Sequence, residues 1–153
     1  MAGSQSEVAQ AEVQLGPLDH FIGFHLRMAQ ETALRAFMAS SKQPDFKPGR
    51  FATLMVIRLN PGLSQAEVCR AIGRDKSTIS PLIRELENER LIQRQSAAGD
   101  RRSMTLRLTE RGEAALDALL VHVEAHDRRL DEIVGDAKAA LLALLKTITA
   151  ALS

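Results

Sequence analysis

The sequence predicts a mainly α-helical domain with one small β-hairpin, on three observations. Apolar residues recur at helical spacing over most of the chain, and they switch to alternation only around residues 91–108. Ala, Leu and Arg dominate, which favours helix. Five Pro and nine Gly in 153 residues are too few for a loop-rich β protein, and that length suits one domain with a real core.

The elements follow in order. Residues 1–16 are small, polar and aperiodic and read as a frayed tail. Residues 17–153 read as one domain, with Pro17 in the first helical turn. A helix is expected over about 17–40, carrying Phe21, Phe24, Leu26, Met28, Leu34 and Phe37 at helical spacing. Pro44 and Pro48 end it. A second helix runs from Phe51 to about Leu59, and Asn60-Pro61-Gly62 stops that one.

A compact unit comes next. Ser64-Gln65-Ala66-Glu67 is a capping box: the Ser hydroxyl takes an orphan N–H and the Glu reaches back. The helix it starts reaches about Ile72, and Gly73 closes it where a left-handed backbone is needed. Asp75 caps the following helix, which runs to about Arg90 with Ile79, Leu82, Ile83 and Leu86 facing inward. Leu91–Gln95 then reads as a strand, Ser96–Asp100 as a turn, and Met104–Leu108 as the partner strand. Thr109 caps a final helical region over about 110–152, broken near Gly135.

Two short helices around a tight glycine turn, followed by a hairpin, describe a winged helix-turn-helix. Its second helix needs short polar and basic residues at its start, able to reach base edges and phosphates in a major groove. Lys76, Ser77, Thr78, Ser80 and Arg84 supply them, opposite the apolar face. Pro81 lies near the sixth residue of that helix, early enough to bend rather than break it. At the hairpin tip, Asp100, Arg101 and Arg102 suit a narrow minor groove. The net charge of +1 hides a gradient. Residues 64–111 hold ten Lys/Arg against seven Asp/Glu, and residues 112–153 hold four against seven. A local basic excess matters more for double-stranded DNA than the total does.

On these residues the chain resembles the MarR family of regulators. The family signature is an Asp-x-Arg at the wing and a strand ending in Leu-Thr-x-x-Gly. Asp100-Arg101-Arg102 and Leu108-Thr109-Glu110-Arg111-Gly112 fit it. The resemblance covers about residues 17–153 and is most specific over 66–112. It implies a DNA-binding lobe over about 51–111, with helices 17–40 and 110–152 of two chains interlocking into a homodimer on a palindromic operator. It implies that Arg102 enters the minor groove, oriented by Asp100. It also implies a repressor released by a small anionic effector, an aromatic carboxylate or its coenzyme A thioester. The pocket would lie between the first helices and the DNA-binding lobe. Its expected lining is Phe24, His25, Met28, Phe37, Phe51 and Met55, with Arg35 and Arg50, and also Arg27 and Lys47, meeting the anion.

The last helix is apolar around much of its circumference, at Leu141, Leu142, Leu144, Leu145, Ile148 and Leu152, so it must be buried. Cys69, the single cysteine, excludes an intrachain disulfide framework, and its neighbours Val68 and Ile72 place it in the core. His122 and His126 stand four apart, a metal-ligand spacing, which leaves a zinc- or redox-responsive repressor of the same fold as the alternative. Taken alone, the pair reads as a solvated helix face, and no cofactor or metal is expected. No glycine-rich phosphate loop, nucleophile elbow or paired catalytic constellation marks an enzyme. Without a signal peptide or an apolar span of about 20 residues, a cytoplasmic protein that does not enter membranes is expected.

Overall fold

The computed structural model describes residues 13–43, 46–97 and 100–152, with the backbone alone at 97 and 100–103. A 3₁₀ turn at Gly16–His20 precedes α1 (Ile22–Ser41), and the extended backbone of Phe21 separates the two. The first helix therefore begins later than Pro17 suggests. Next comes α2 (Pro48–Leu59). Pro48 starts this helix rather than ending the previous one: its fixed φ suits the first turn, where its missing N–H costs nothing. Lys42, in the left-handed region at φ 55°, closes α1 instead. Pro44 lies outside the described residues.

The capping box is formed as expected. The Glu67 N–H donates to Ser64 Oγ at 3.3 Å, and the Ser64 N–H donates to the Glu67 carboxylate at 2.7 Å. It starts α3 (Gln65–Ala71), and Gly73 follows at φ +64°. The next helix is α4 (Lys76–Asn88), which continues through Pro81. Arg90 then takes φ 58°, with its N–H donating to the Glu87 carbonyl and the Leu91 N–H donating to the Leu86 carbonyl. That is a Schellman closure with Arg in place of glycine. It turns the chain into the hairpin.

Strands β1 (Ile92–Ala97) and β2 (Asp100–Leu108) pair antiparallel, with Ile92 opposite Leu108 and Arg94 opposite Leu106. Residues 62–64 add a short third edge. Leu106 N–H donates to the Leu63 carbonyl at 2.8 Å, and Gly62 N–H donates to the Leu106 carbonyl at 3.1 Å. The start of α3 is thereby tied to the middle of β2. Two helices end the chain, α5 (Glu110–Val134) and α6 (Lys138–Leu152), broken at Gly135 with φ +55°.

The core sits under the helix-turn-helix and hairpin. Leu54, Ile57, Val68, Ile79, Ile83, Leu86, Leu91, Ile92, Leu106 and Leu116 pack into one cluster. Each such side chain contributes about 1.5–3 kcal/mol on burial. Cys69 is 7% exposed within the same cluster, as its neighbours predict. The terminal helices behave differently. Among the described residues α6 has none buried, and Leu144 is 62% and Leu152 83% exposed. Within the single chain, then, the burial its composition demands is not met. Phe21 and Ile22, beside the start of α1, are 55% and 69% exposed.

One junction holds these parts together. Thr109 caps α5 by accepting from the Gly112 N–H at 3.0 Å, while its hydroxyl donates to the Arg90 carbonyl at 2.6 Å. Its own N–H donates to the Leu91 carbonyl at 3.0 Å. Gly112 lies so close that a Cβ there would stand 1.9 Å from the Leu91 carbonyl oxygen. The glycine is needed for close approach rather than for backbone freedom. Gly112→Ala should lower stability by roughly 2–4 kcal/mol, measured by urea unfolding. A change under about 0.5 kcal/mol would show that the junction relaxes freely.

Candidate functional site

The start of α4 is organised by Asp75. Its carboxylate accepts from the Thr78 N–H at 2.7 Å and from the Ser77 hydroxyl at 2.6 Å. These bonds, the Ser77 hydroxyl first, hold its pKa at about 2, below the ordinary 3.8. Ser77 is thus engaged, and its side chain lies against the cap. Ile79, Ile83 and Leu86 are buried, while Lys76, Ser77, Thr78 and Arg84 are exposed. The amphipathic division read from the sequence is therefore present. Among the described residues, Lys76, Arg84 and the turn residue Arg74 form no salt bridge.

Ser80 is placed differently from its neighbours. It is half-buried, its hydroxyl donates to the Lys76 carbonyl at 2.7 Å, and it accepts from Gln65 Nε2 at 2.7 Å. At the wing, Ala97 pairs with Asp100, and β2 begins there. Asp100, Arg101 and Arg102 accordingly belong to the strand backbone, not to a wide turn over 96–100. Their side chains lie outside the described residues.

Phe51 and Met55 aside, the expected effector residues divide among three places. Phe37 lines an apolar cavity of about 260 Å³ between α1, the segment before α2 and α5, with Gln30, Leu34, Phe46, His126 and Leu130. Its ring is 4.2 Å from that of Phe46, and His126 meets it edge-on at 5.6 Å. Phe51 and Met55 pack against the core instead, with Phe51 6.3 Å from Phe46.

The second place is α1, where Phe24 is half-buried and His25 and Met28 are exposed. Arg27 lies over the Phe24 ring and pairs with Glu31 at 2.9 Å, and Arg35 donates to Thr32 at 3.3 Å. The third is a cleft of about 280 Å³ between the start of α2 and α4, where Lys47, Arg50 and Arg74 gather. There Arg50 donates to Glu85 at 2.9 Å and to Glu89 at 2.7 Å. Glu89 holds the Arg50 pKa above its ordinary value, and Arg50 holds that of Glu89 below. Segment 46–50 therefore has two sides, Phe46 and Pro48 toward the cavity and Lys47 and Arg50 toward the cleft.

The sequence reading missed Phe46, Val123, His126 and Leu130. A signal for three of them existed in the inward stripe of α5, where Leu116, Val123, His126 and Leu130 recur at helical spacing. His126 packs on Phe37 and His122 is exposed. Among the described residues no three His, Cys, Asp or Glu side chains gather as a metal site.

Known proteins resemble this chain in sequence and fold. A profile described as MarR family matches residues 45–103. A protein described as a transcriptional regulator of the hcr operon in Thauera aromatica is 34% identical over 140 residues, which are 90% of this chain and 84% of that one. The chain belongs to the MarR family. Two solved structures of the repressor CouR extend the similarity to the whole fold of this MarR-family regulator. One, bound to a 23-mer DNA duplex, is 31% identical with a TM-score of 0.79 over 90% of this chain and 99% of that one. The other, bound to p-coumaroyl-CoA, is 30% identical with a TM-score of 0.78 over 90% and 97%. This chain is thus a DNA-binding transcriptional regulator with a winged-helix fold. Among the described residues no helix is long and apolar enough to cross a membrane.

The Asp75 cap gives this regulator a defined acid response. A depressed carboxyl contributes stability that is fully present above 3.8 and lost as pH falls through about 2. Asp75→Ala should therefore lower the melting temperature at neutral pH and narrow its gap to the parent protein between pH 4 and 2. An equal gap at both ends of that range would show that the carboxylate is not the cap.

Proposed function

We propose that this MarR-family regulator is a repressor that binds a palindromic operator as a homodimer and leaves it on binding an aromatic acyl-coenzyme A thioester. The observation that carries this reading is the near full-length similarity to CouR, whose structures hold a DNA duplex and p-coumaroyl-CoA. The residues of this chain support each part. Lys76, Thr78 and Arg84 stand exposed on α4, and Arg101 and Arg102 lie at the start of β2. One recognition helix touches too few phosphates for tight binding, so two-fold pairing is needed. The exposed apolar residues of α6 and the N-terminal segment offer the surface for it.

The cavity favours the thioester over the free acid. Its lining holds no Lys or Arg, and its polar groups are Gln30 and His126. A carboxylate seated on this open apolar lining would meet no Lys or Arg, whereas a thioester is neutral at the acyl carbon. The rest of a coenzyme A carries phosphates. These can reach outward past segment 46–50 to the second cleft, where Arg74 forms no salt bridge among the described residues and Lys47 and Arg50 would have to exchange Glu85 for phosphate.

Two sets of measurements check the proposal. Operator binding followed by fluorescence anisotropy should weaken by on the order of 1–3 kcal/mol for Arg102→Ala, a specific groove contact. Lys76→Ala should flatten the salt dependence by about one unit of slope. Sedimentation should show a dimer, and Leu144→Glu should shift it toward monomer. A monomeric parent protein at micromolar concentration would sink the two-fold reading. Calorimetry against aromatic acids and their thioesters should give binding for thioesters alone, accompanied by operator release. Binding of neither class would end the effector assignment and leave the DNA-binding one intact.

A further inference from the structure

We infer that Gln65 is a positioning residue for DNA binding: with Arg94 and Glu87 it latches the wing onto the recognition helix at two points. Gln65 is the first residue of α3, half-buried directly after the Ser64 cap. Two frames fix its backbone. The capping box holds it to α3, and residues 62–64 hold it to β2 through Leu106.

Its amide uses both ends. Nε2 donates to Ser80 Oγ on α4 at 2.7 Å, and Oε1 accepts from Arg94 Nη2 on β1 at 3.2 Å. Arg94 Nε then donates to Glu87 on α4 at 2.9 Å. The path runs from α4 through α3 and β1 and back to α4. It touches α4 at residues 80 and 87, two helical turns or about 10 Å apart along the axis. A single contact would fix only a distance. Two contacts at that separation fix the tilt of β1, and with it the hairpin, against the recognition helix.

The chemistry demands these residue types. An amide offers a donor and an acceptor on one planar group. A guanidinium reaches two acceptors at once, through Nε and Nη2, where an ammonium is a single point. Ser80 has its one proton on the Lys76 carbonyl and accepts from Gln65. It serves the latch, so it has no hydroxyl proton left to give to DNA. The consequence for function is geometric. A recognition helix and a wing that must enter two grooves of one duplex bind best when their relative tilt is set beforehand.

The test uses changes that leave net charge alone. Gln65→Leu removes both amide bonds, and Arg94→Lys keeps the positive charge while losing the fork. Each should weaken binding to the specific operator five- to twenty-fold. Binding to a random duplex and the salt slope should stay within two-fold of the parent protein. The double variant should be no weaker than the worse single one, because either change opens the same latch. Parent-like operator affinity in both singles would overturn the inference. So would losses that multiply in the double variant or a lowered salt slope, since these would mark separate contacts to phosphate. Arg94→Lys carries the test alone if Gln65→Leu proves too unstable to assay.

Discussion

The carbonyl of Leu91 occupies the point on which the arrangement of this molecule turns. The Leu91 N–H completes the Schellman closure of α4 one residue before β1, while its carbonyl receives the Thr109 N–H at the end of β2 and meets the first turn of α5 through Gly112. Two helices and two strands are thereby brought together at one residue. Leu91 itself is buried with Ile92 and Leu106, so the polar junction is closed over by the core. Buried carbonyls must be paired, and the Thr109 backbone provides the partner. The spacing Leu-Thr-x-x-Gly is therefore a packing rule: the strand ends, a hydroxyl caps, and three residues on a residue without Cβ lets the helix approach.

The same junction is where the two halves of the chain meet. On one side lies the lobe with the recognition helix, and on the other lies the α5–α6 stalk. Arg58 of α2 reaches Asp117 at 2.6 Å and Glu113 at 3.3 Å on α5, a second tie one turn further along. Exposed pairs of this kind contribute little stability each. They give the lobe a second point of attachment to α5 beyond the Thr109 junction. On the proposed reading, a change in the stalk or in the cavity beside Phe37 moves the lobe as one body.

Much of this fold was legible in the sequence because it rests on local rules. The capping box at Ser64, the Gly73 turn, the Asp75 cap, the Thr109 cap and the Gly135 break each depend on residues within one helical turn. The misplacements have the same local origin. Pro48 reads as a stop when taken after a helix and as a start when taken before one, and Arg90 hides a left-handed closure that only glycine advertises. The candidate cavity was less legible. Phe37, Phe46 and His126 come together from α1, a connecting segment and α5, and no periodicity within one element brings them to a common point. Gln65 was masked for a related reason. In the sequence it is only the second letter of a capping box, and its partners Ser80 and Arg94 lie in two other elements.

The charge pattern shows how a nearly neutral chain presents a cationic face. The acids are not spread evenly against the bases. Glu85 and Glu89 are taken by Arg50, Glu87 by Arg94, and Glu113 and Asp117 by Arg58. In each case the Arg belongs to the scaffold that supports α4 rather than to its exposed stripe. Asp75, next to Lys76, is turned into the cap by Ser77 and Thr78. Lys76, Arg84 and Arg74 are then left without counter-charges among the described residues. Their fields add outside the protein, where an anionic polymer competes only with mobile counter-ions that it releases on binding. A total of +1 is thus compatible with binding DNA, because pairing inside the lobe removes the acids from the account.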